Sequence, residues 1–170
     1  MPLLDLSRAP AVLFFYGLSG AGKSWVGDVI GRASGRSVYH ADVDLTGEMK
    51  DALREARPFD DGMRDRYFVT VAAEIRRRRA TAGPLIVTQG VYRRRHRRWL
   101  RSQIDDMEMI LVTAPSDVIL KRLGRRSAGI TVDAATALAR DFDDAEDGDK
   151  TLINDGGAAD VVAQMRDWFP

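Results

Sequence analysis

The chain has 170 residues, with 26 lysines and arginines against 25 aspartates and glutamates, and it contains no cysteine. A chain of this length buries about 70% of its unfolded surface, so one domain with a sizeable core is expected. The absence of cysteine excludes disulfides, thiolate metal sites and cysteine nucleophiles. No apolar run is long enough to span a bilayer, and the N-terminus lacks a basic region followed by an apolar stretch, so we expect a cytoplasmic protein without a membrane partner.

The first half of the chain alternates between predicted strands and helices. An apolar run predicts a strand at Val12–Tyr16, and a glycine-rich loop leads from it into a helix over residues 23–33. A second strand is predicted at residues 37–41. Two helices then follow, at residues 46–56 and 62–80.

The second half continues this alternation. We predict a strand at Leu85–Thr88, an amphipathic helix over residues 93–103, a strand over residues 109–113 and a helix over residues 116–123. The remaining predicted elements are a basic loop at residues 124–130, a helix at 132–145, a strand at 151–153 and a helix at Ala158–Trp168. Strands that alternate with helices predict the α/β class, as a three-layer sandwich in which helices cover both faces of a mainly parallel five-stranded sheet.

Residues 17–24 read Gly-Leu-Ser-Gly-Ala-Gly-Lys-Ser and match the pattern G-x-x-x-x-G-K-[ST] at every position. In this pattern the loop N–H groups surround phosphates, the lysine reaches the β- and γ-phosphates, and the final hydroxyl binds Mg²⁺. We therefore predict a P-loop NTPase fold with ATP and Mg²⁺ as cofactors. The predicted nucleotide-binding residues are Gly17, Ser19, Gly20, Ala21, Gly22, Lys23 and Ser24, of which Lys23 also serves catalysis and Ser24 also binds the metal.

Two carboxylates, Asp42 and Asp44, follow the second predicted strand. They lie at the edge of an open α/β sheet where ligands bind. Phosphoryl transfer needs a metal on the phosphate oxygens and a group that orients or deprotonates the attacking hydroxyl. We predict that Asp42 helps to hold Mg²⁺ and that Asp44 binds the acceptor hydroxyl and is catalytic. The alternative is a simple turn in which Asp44 caps the next helix.

Charge is distributed unevenly along the chain. Arginines are dense at residues 76–79 and 93–101, whereas carboxylates are dense at residues 141–149. Such arginine runs indicate either an anion or nucleic-acid site, or a solvated helix face that acidic residues neutralise. Four consecutive arginines point in all directions from a helix, so residues 76–79 are predicted to be a solvated face. His96 lies on the apolar stripe of its helix and is predicted to be packed or hydrogen-bonded rather than a catalytic base.

These motifs resemble the small P-loop metabolite kinases of the gluconokinase and shikimate kinase type. Gluconokinases carry Asp-Gly-Asp where this chain has Asp-Val-Asp at residues 42–44, and their Pro-Leu-x-Asp-x-x-Arg-x-x-Trp is similar to residues 58–67. Their Tyr-Arg-x-x-Leu-Arg segment is similar to residues 96–101. The His-Pro-x-x-Asn of gluconokinases is missing, and Thr-Gln-Gly at residues 88–90 replaces the Gly-Gly-Gly of shikimate kinases.

The resemblance implies an acceptor-binding region at about residues 42–67 and arginines that bind an anionic acceptor. The candidates are Arg64, Arg93 and Arg97. A guanidinium binds a carboxylate or phosphate through two parallel hydrogen bonds, and Arg93 and Arg97 lie one helical turn apart. The alternative for each is a salt bridge to the acidic segment or plain solvation.

The resemblance also implies a lid at about residues 122–132 of a single P-loop kinase domain that spans residues 1–170. Arg122 is the candidate for stacking on adenine, and Arg125 or Arg126 for catalytic contact with the transferring phosphoryl group. Simple solubility is the alternative for these arginines. Asn154 follows the last predicted strand and is a candidate to hydrogen-bond adenine or to cap the next helix.

The predicted function is that of a kinase, which transfers the γ-phosphate of ATP to a hydroxyl of a small anionic metabolite such as a sugar acid or cyclitol acid. One alternative is a nucleoside or nucleotide kinase, for which Phe59 and Tyr67 could wall the acceptor base. A second alternative is a P-loop ATPase or nucleic-acid-binding module. The expected partner is a small-molecule acceptor and not a nucleic acid, and the chain is expected to be a monomer or homodimer.

Overall fold

The computed structural model describes residues 3–125, 133, 136 and 139–170. Its five strands pair in the order β2-β3-β1-β4-β5, and every pairing among the described residues is parallel. The strands are β1 at Val12–Tyr16, β2 at Ser37–His40, β3 at Leu85–Thr88, β4 at Met107–Thr113 and β5 at Lys150–Ile153. The predicted α/β fold with a parallel five-stranded sheet is confirmed.

The described residues form six α-helices, and none of these is long and apolar enough to cross a membrane. They are α1 at Lys23–Ser34, α2 at Gly47–Arg54, α3 at Asp61–Ala82, α4 at Arg94–Gln103, α5 at Ser116–Gly124 and α6 at Ala158–Trp168. Each predicted boundary in these regions lies within a few residues of the observed one.

The central strand β1 explains how helices cover both faces of the sheet. All five of its residues are buried, as expected for the middle of a parallel sheet. Leu13 and Phe15 join the core cluster that α1 and α6 complete, whereas Phe14 and Tyr16 join the cluster that α2, α3 and α4 complete. Because successive side chains of a strand point to opposite faces, a fully apolar run requires two such covers.

The predicted helix at residues 132–145 is wrong in its last part, because residues 141–145 are not helical. Phe142 packs in this segment against the rings of Tyr16 and Tyr92, at centroid distances of 6.3 and 5.4 Å. The N–H of Asp143 donates to the carbonyl oxygen of Tyr92 at 2.8 Å. These tertiary contacts hold the segment in an extended path along α4. Residues 132, 134, 135, 137 and 138 of the predicted helix lie outside the described residues.

The parallel sheet brings the candidate functional segments to one edge. The carboxyl end of β1 leads into residues 17–24, that of β2 into the turn Ala41–Asp44, that of β3 into Gln89 and that of β5 into Asn154. In open α/β sheets this edge is where ligands bind.

Candidate active site

Three glycines of the loop at residues 17–24 have a positive φ that favours glycine, and at two of them a side chain would also clash with a neighbour. Gly22 has φ +89°, and a Cβ built on it would lie 2.3 Å from Nδ2 of Asn154. Gly17 has φ +152°, and its Cβ would lie 2.3 Å from the carbonyl oxygen of Val112. Within the loop, Nζ of Lys23 donates to the carbonyl oxygen of Leu18 at 2.9 Å. The tight path of this loop is therefore set by glycine and by the strand and turn packed behind it.

Two predicted nucleotide-binding residues support the loop from behind. Nη1 of Arg122 donates to the carbonyl oxygens of Ala21 at 3.2 Å and Gly20 at 3.4 Å, and its Nη2 donates to that of Asn154 at 2.8 Å. Nδ2 of Asn154 donates to the carbonyl oxygen of Ala21 at 2.8 Å. Asn154 is only 2% exposed, so its amide cannot reach a bound base. The structure thus replaces the predicted adenine contact of the Asn154 amide with a supporting role, whereas stacking of Arg122 on adenine remains a prediction.

The two carboxylates lie on a short 3₁₀ turn, Ala41–Asp44, directly after β2. Asp42 is exposed, whereas Asp44 is half-buried and its Oδ2 accepts a hydrogen bond from the hydroxyl of Tyr39 at 2.8 Å. Asp44 does not cap α2. The N-cap of α2 is Thr46, whose Oγ1 accepts from the N–H of Met49 at 3.3 Å. The alternative that Asp44 is a helix cap is therefore wrong.

Tyr39 holds Asp44 from within the core. Its ring is buried, and the guanidinium of Arg78 lies 4.4 Å from the ring centroid. Burial raises the pKa of Tyr39, and the hydrogen bond to Asp44 raises it further, so the phenol stays protonated and donates. This contact fixes one oxygen of the Asp44 carboxylate and leaves the other available.

A cavity of about 160 Å³ opens beside the P-loop. Of the predicted site residues, Ser19, Lys23 and Arg64 line it, whereas Asp42, Asp44, Arg93 and Arg97 do not. Its remaining walls are Leu45, Met49, Phe59, Tyr67, Phe68, Gln89, Gly90 and Tyr92. Leu45, one of these walls, directly follows Asp44 in the chain. The cavity therefore lies between the P-loop and the acceptor region predicted from the sequence.

The polar groups on one side of this cavity are paired with each other. The hydroxyl of Tyr67 donates to the carbonyl oxygen of Ala41 at 2.5 Å and accepts from Nε2 of Gln89. Oε1 of Gln89 accepts from the N–H of Gly90 at 2.7 Å. Burial raises the pKa of Tyr67, and the charges of Asp42 and Asp44 act in the same direction. This chain of hydrogen bonds joins α3 to the ends of β2 and β3.

Arg64 and Arg93 share a pair of acidic neighbours. Arg64 lines the cavity, and its guanidinium lies 3.5 Å from Asp61 and 3.9 Å from Asp141. Arg93 lies at the start of α4, 3.9 Å from Asp61 and 3.6 Å from Asp141. Arg64 is thus at the cavity wall, whereas Arg93 is half-buried and does not line the cavity. Its ion pairs agree with the alternative of a salt bridge to the acidic segment.

Arg97 is buried and does not reach the cavity. Its Nε donates to the carbonyl oxygen of Val91 at 2.8 Å, and its Nη atoms donate to those of Tyr92, Asp143 and Asp144 at 3.0, 2.5 and 2.7 Å. Its guanidinium also lies between the rings of Tyr16 and Phe142, at 4.7 and 4.8 Å from their centroids. Arg97 is 0% exposed. The predicted acceptor contact is therefore corrected to a structural role, in which Arg97 joins α4 to residues 141–145.

The other arginines of both runs are engaged within the chain. Arg98 and Arg101 pair with Glu146 and Asp149 of the acidic segment, each at 2.7 Å. The run at residues 76–79 is anchored by Glu74. Hydrogen bonds from Arg77 and Arg78 lower the pKa of Glu74 to about 2. The ion pairs and hydrogen bonds of residues 76–79 are Arg77 and Arg78 to Glu74, Arg76 to the Gln103 carbonyl and Arg79 to the Asp105 carbonyl. Both runs thus serve intramolecular contacts.

His96 is packed, as predicted. It is 3% exposed, its ring lies 4.9 Å from that of Phe68, and its Nε2 lies 2.6 Å from Oδ1 of Asp65. Burial lowers its pKa, although Asp65 opposes this effect. His96 is therefore part of the core under α4 and not a base facing the cavity.

The predicted lid at about residues 122–132 begins within the last residues of α5. Arg125 is exposed and follows the last residue of that helix. Arg126 and the following residues up to 132 lie outside the described residues. The catalytic roles of Arg125 and Arg126 remain predictions.

The predicted metal ligands, Ser24 and Asp42, offer oxygen donors of the kind that Mg²⁺ binds in nucleotide sites. Ser24 and Asp42 are both exposed at the carboxyl edge of the sheet. Within the part of the chain that the structure describes, no three histidines or carboxylates cluster as a dedicated metal cage. Mg²⁺ in nucleotide sites takes most of its ligands from phosphate oxygens and water, with one or two protein oxygens, so these donors fit that chemistry.

The fold and the position of the site define a class, the small P-loop kinase fold, and comparison with solved structures agrees. The chain resembles a sugar kinase from a Janibacter species, with a TM-score of 0.80 at 17% identity over 92% of each chain. It also resembles a gluconokinase from Sinorhizobium meliloti, with a TM-score of 0.77 at 20% identity over 93% of this chain and 90% of that one. A shikimate kinase from Aquifex aeolicus gives a TM-score of 0.57 at 14% identity over 91% of this chain and 92% of that one.

These likenesses confirm the fold class predicted from the sequence and the predicted structural resemblance to gluconokinases and shikimate kinases. At such identities they establish the fold and leave the activity to be argued from the site. No protein-family model matches the sequence, and no curated protein is significantly similar to it.

Several residues of the site were not identified from the sequence. Tyr39 lies in a predicted strand, and no sequence motif marks Leu45, Met49, Phe68 and Tyr92, which the structure places in the cavity wall. Periodicity does not distinguish an apolar residue that faces a cavity from one that faces the core. Gln89 carried a usable signal, because it follows a buried strand at the carboxyl edge of the sheet.

Proposed function

We propose that the protein is an ATP-dependent kinase that phosphorylates a hydroxyl group of a small molecule. The observation that carries this proposal is the cavity, which is lined at one end by Ser19 and Lys23 of the P-loop and at its wall by Arg64. A pocket of this kind places a second small substrate against the phosphate-binding loop. An enzyme that only hydrolyses ATP has no need of one.

The P-loop residues bind and orient the donor in this proposal. The N–H groups of residues 17–24 and the ammonium of Lys23 hold the β- and γ-phosphates. The hydroxyl of Ser24 and the carboxylate of Asp42 hold Mg²⁺, with Asp42 acting directly or through water. When bound, this ion neutralises charge on the phosphate oxygens. Arg122 borders the adenine, and Arg125 or Arg126 stabilises the charge of the transferring group.

Asp44 handles the acceptor proton. The acceptor oxygen forms a bond to the γ-phosphorus while the bond from that phosphorus to the oxygen bridging it to the β-phosphate breaks, and ADP leaves. The proton of the acceptor hydroxyl passes to the carboxylate of Asp44. Because Tyr39 occupies Oδ2, we assign this role to Oδ1.

Arg64 supports an anionic acceptor, the property that the expectation of a sugar acid or cyclitol acid required. Its guanidinium lies at the cavity wall, and its ion pairs with described residues are long, at 3.5 and 3.9 Å. An acceptor carboxylate could compete for such a guanidinium through two parallel hydrogen bonds. Arg93, which shares Asp61 and Asp141 with Arg64, steers the anion in this proposal.

A nucleoside kinase is the second candidate, because Phe59 and Tyr67 both line the cavity, as that alternative requires. The nucleic-acid alternative has less support. The arginines that suggested it are engaged by the acidic segment and by helix-terminal carbonyls.

The test is turnover of ATP with and without small hydroxyl compounds. We expect slow ATP hydrolysis alone and stimulation by a suitable acceptor. In Asp44→Ala, transfer should fall by about 10²–10⁴-fold, the usual contribution of a general base, while ATP binding is kept. Wild-type transfer rates in Asp44→Ala would remove the assigned role. An absence of ATP binding by the wild-type chain would remove the proposal itself.

A further inference from the structure

The cavity divides into a polar end and an apolar end. Ser19 and Lys23 form the end at the P-loop, whereas Leu45, Met49, Phe59 and Phe68 contribute carbon side chains to the wall. The lining is completed by Arg64, Tyr67, Gln89, Gly90 and Tyr92. Polyol acids carry a hydroxyl on nearly every carbon. Each of these hydroxyls would need a hydrogen-bond partner to replace water, and an apolar wall supplies none.

Two polar groups of this wall, those of Tyr67 and Gln89, are already hydrogen-bonded within the protein. The Tyr67 hydroxyl both donates and accepts within the protein, and both ends of the Gln89 amide are likewise engaged. Beyond these bonds the wall offers a polyol the second N–H and the second lone pair of the Gln89 amide and the guanidinium of Arg64, which are fewer partners than the hydroxyls of a polyol acid require. An apolar ring needs no hydrogen-bond partner. It can therefore pack against the apolar side chains of the wall and leave the hydrogen bonds of Tyr67 and Gln89 intact.

The size of the cavity also favours one ring. Its volume is about 160 Å³. An apolar protein cavity of about 150 Å³ accommodates benzene. A nucleoside has a base and a sugar, so it would fill this space with one part and leave the other outside.

We infer that the acceptor is an aromatic alcohol or aromatic hydroxy acid, with a single ring in the apolar end and its side-chain hydroxyl at the P-loop end. This inference rests on the proposed kinase function and names its substrate class. The transfer step is unchanged: the new bond joins the side-chain oxygen to the γ-phosphorus, ADP leaves, and the proton passes to Asp44. A carboxylate on the ring would face Arg64.

The experiment uses the full chain with ATP and Mg²⁺ and two sets of probes. One set is mandelate, hydroxymethylbenzoate and benzyl alcohol, and the other is gluconate and glycerate. ADP release and phosphorus NMR of the products measure transfer. We expect transfer to at least one aromatic probe, with kcat/KM at least about tenfold above that for either polyol acid, the discrimination that a few apolar contacts provide.

Phe59 offers a matched set of variants. Phe59→Ser should raise KM for the aromatic probe by about tenfold with little change in kcat, and Phe59→Leu should restore most of the affinity because it keeps an apolar wall. Leu53→Ser is the control, since Leu53 is 54% exposed on α2 and does not line the cavity. An equal KM for Phe59→Ser and wild type would overturn the inference.

The outcomes separate this inference from the proposed function. Preferred transfer to gluconate or glycerate would overturn the aromatic class and leave the kinase function standing. ATP binding without transfer to any aromatic probe would also overturn the aromatic class. A chain that binds no ATP would instead contradict the proposed function.

Discussion

The nucleotide half of the site, residues 17–24 with Arg122 and Asn154, is built differently from the acceptor half, which comprises the cavity walls with Tyr39 and Asp44. In the proposed function, the nucleotide half consists mainly of one continuous loop whose backbone N–H groups bind the phosphates. The acceptor half takes its side chains from α2, α3 and the ends of β2 and β3. Few sequences allow a loop backbone to bind phosphate. The substrate preference of a pocket lined by side chains can, in contrast, change through single substitutions.

The difference also appears in how each half is supported. Arg122 and Asn154, which both follow β4 in the chain, donate hydrogen bonds to the carbonyl oxygen of Ala21 in the P-loop. The acceptor half rests on α4 and on residues 141–145, which Arg97 holds together. Changes to these two supports should therefore have separable effects on ATP binding, acceptor binding and folding.

The largest expected effect is that of Arg97→Met on folding. This change removes a buried cation and leaves four carbonyl oxygens without their donor, so the free energy of unfolding should fall by about 3–5 kcal/mol. Urea denaturation measures this loss. Arg64→Met is the matched comparison, because Arg64 lines the cavity. It should lose less stability and should raise the KM of an anionic acceptor. An unchanged stability in Arg97→Met would break the distinction between the two arginines.

The next largest effect is that of Gly22→Ala on ATP binding. An alanine at φ +89° with its Cβ 2.3 Å from Nδ2 of Asn154 should cost about 2–5 kcal/mol in forming the loop. Calorimetry should show a correspondingly weaker affinity for ATP. Gly47→Ala is the control, since no atom lies within 4 Å of the Cβ that it adds at the start of α2. ATP binding at wild-type strength in Gly22→Ala would show that the loop tolerates rearrangement.

A smaller effect is expected from Tyr39→Phe on catalysis. This change removes the hydrogen bond to Oδ2 of Asp44, and hydrogen bonds to charged groups contribute about 1.5–3 kcal/mol, so kcat should fall by about 10–100-fold. The Kd of ATP should stay the same, because Tyr39 does not touch the P-loop half. Tyr16→Phe is the control for a buried tyrosine, whose hydroxyl donates instead to Asp149 at 2.7 Å. Equal kcat values for Tyr39→Phe and wild type would mean that Asp44 needs no such support.

Most of the fold could be predicted because its signals are local. The apolar run of β1, the glycines after it and the amphipathic pattern of α4 each lie within a few consecutive residues. The exception shows the limit of that approach. Residues 141–145 read as a helix, but Phe142 packs on Tyr16 and the neighbouring carboxylates pair with arginines of α4. Those partners are distant in sequence, so no local pattern reports them.

The candidate site likewise has some features that local sequence determines and others that depend on tertiary contacts. The sequence by itself determined the P-loop, the position of the two carboxylates at the edge of a parallel sheet and the expectation of a kinase-like fold, because each depends on neighbouring residues and on their secondary structure. Only the tertiary structure decided which side chains wall the cavity. It also decided that Arg97 belongs to the core and that Asn154 supports the loop. The contacts responsible join residues 47 positions apart for Arg97 and Asp144, and 133 apart for Asn154 and Ala21, and such contacts exist only once the sheet has brought the ends of its strands together.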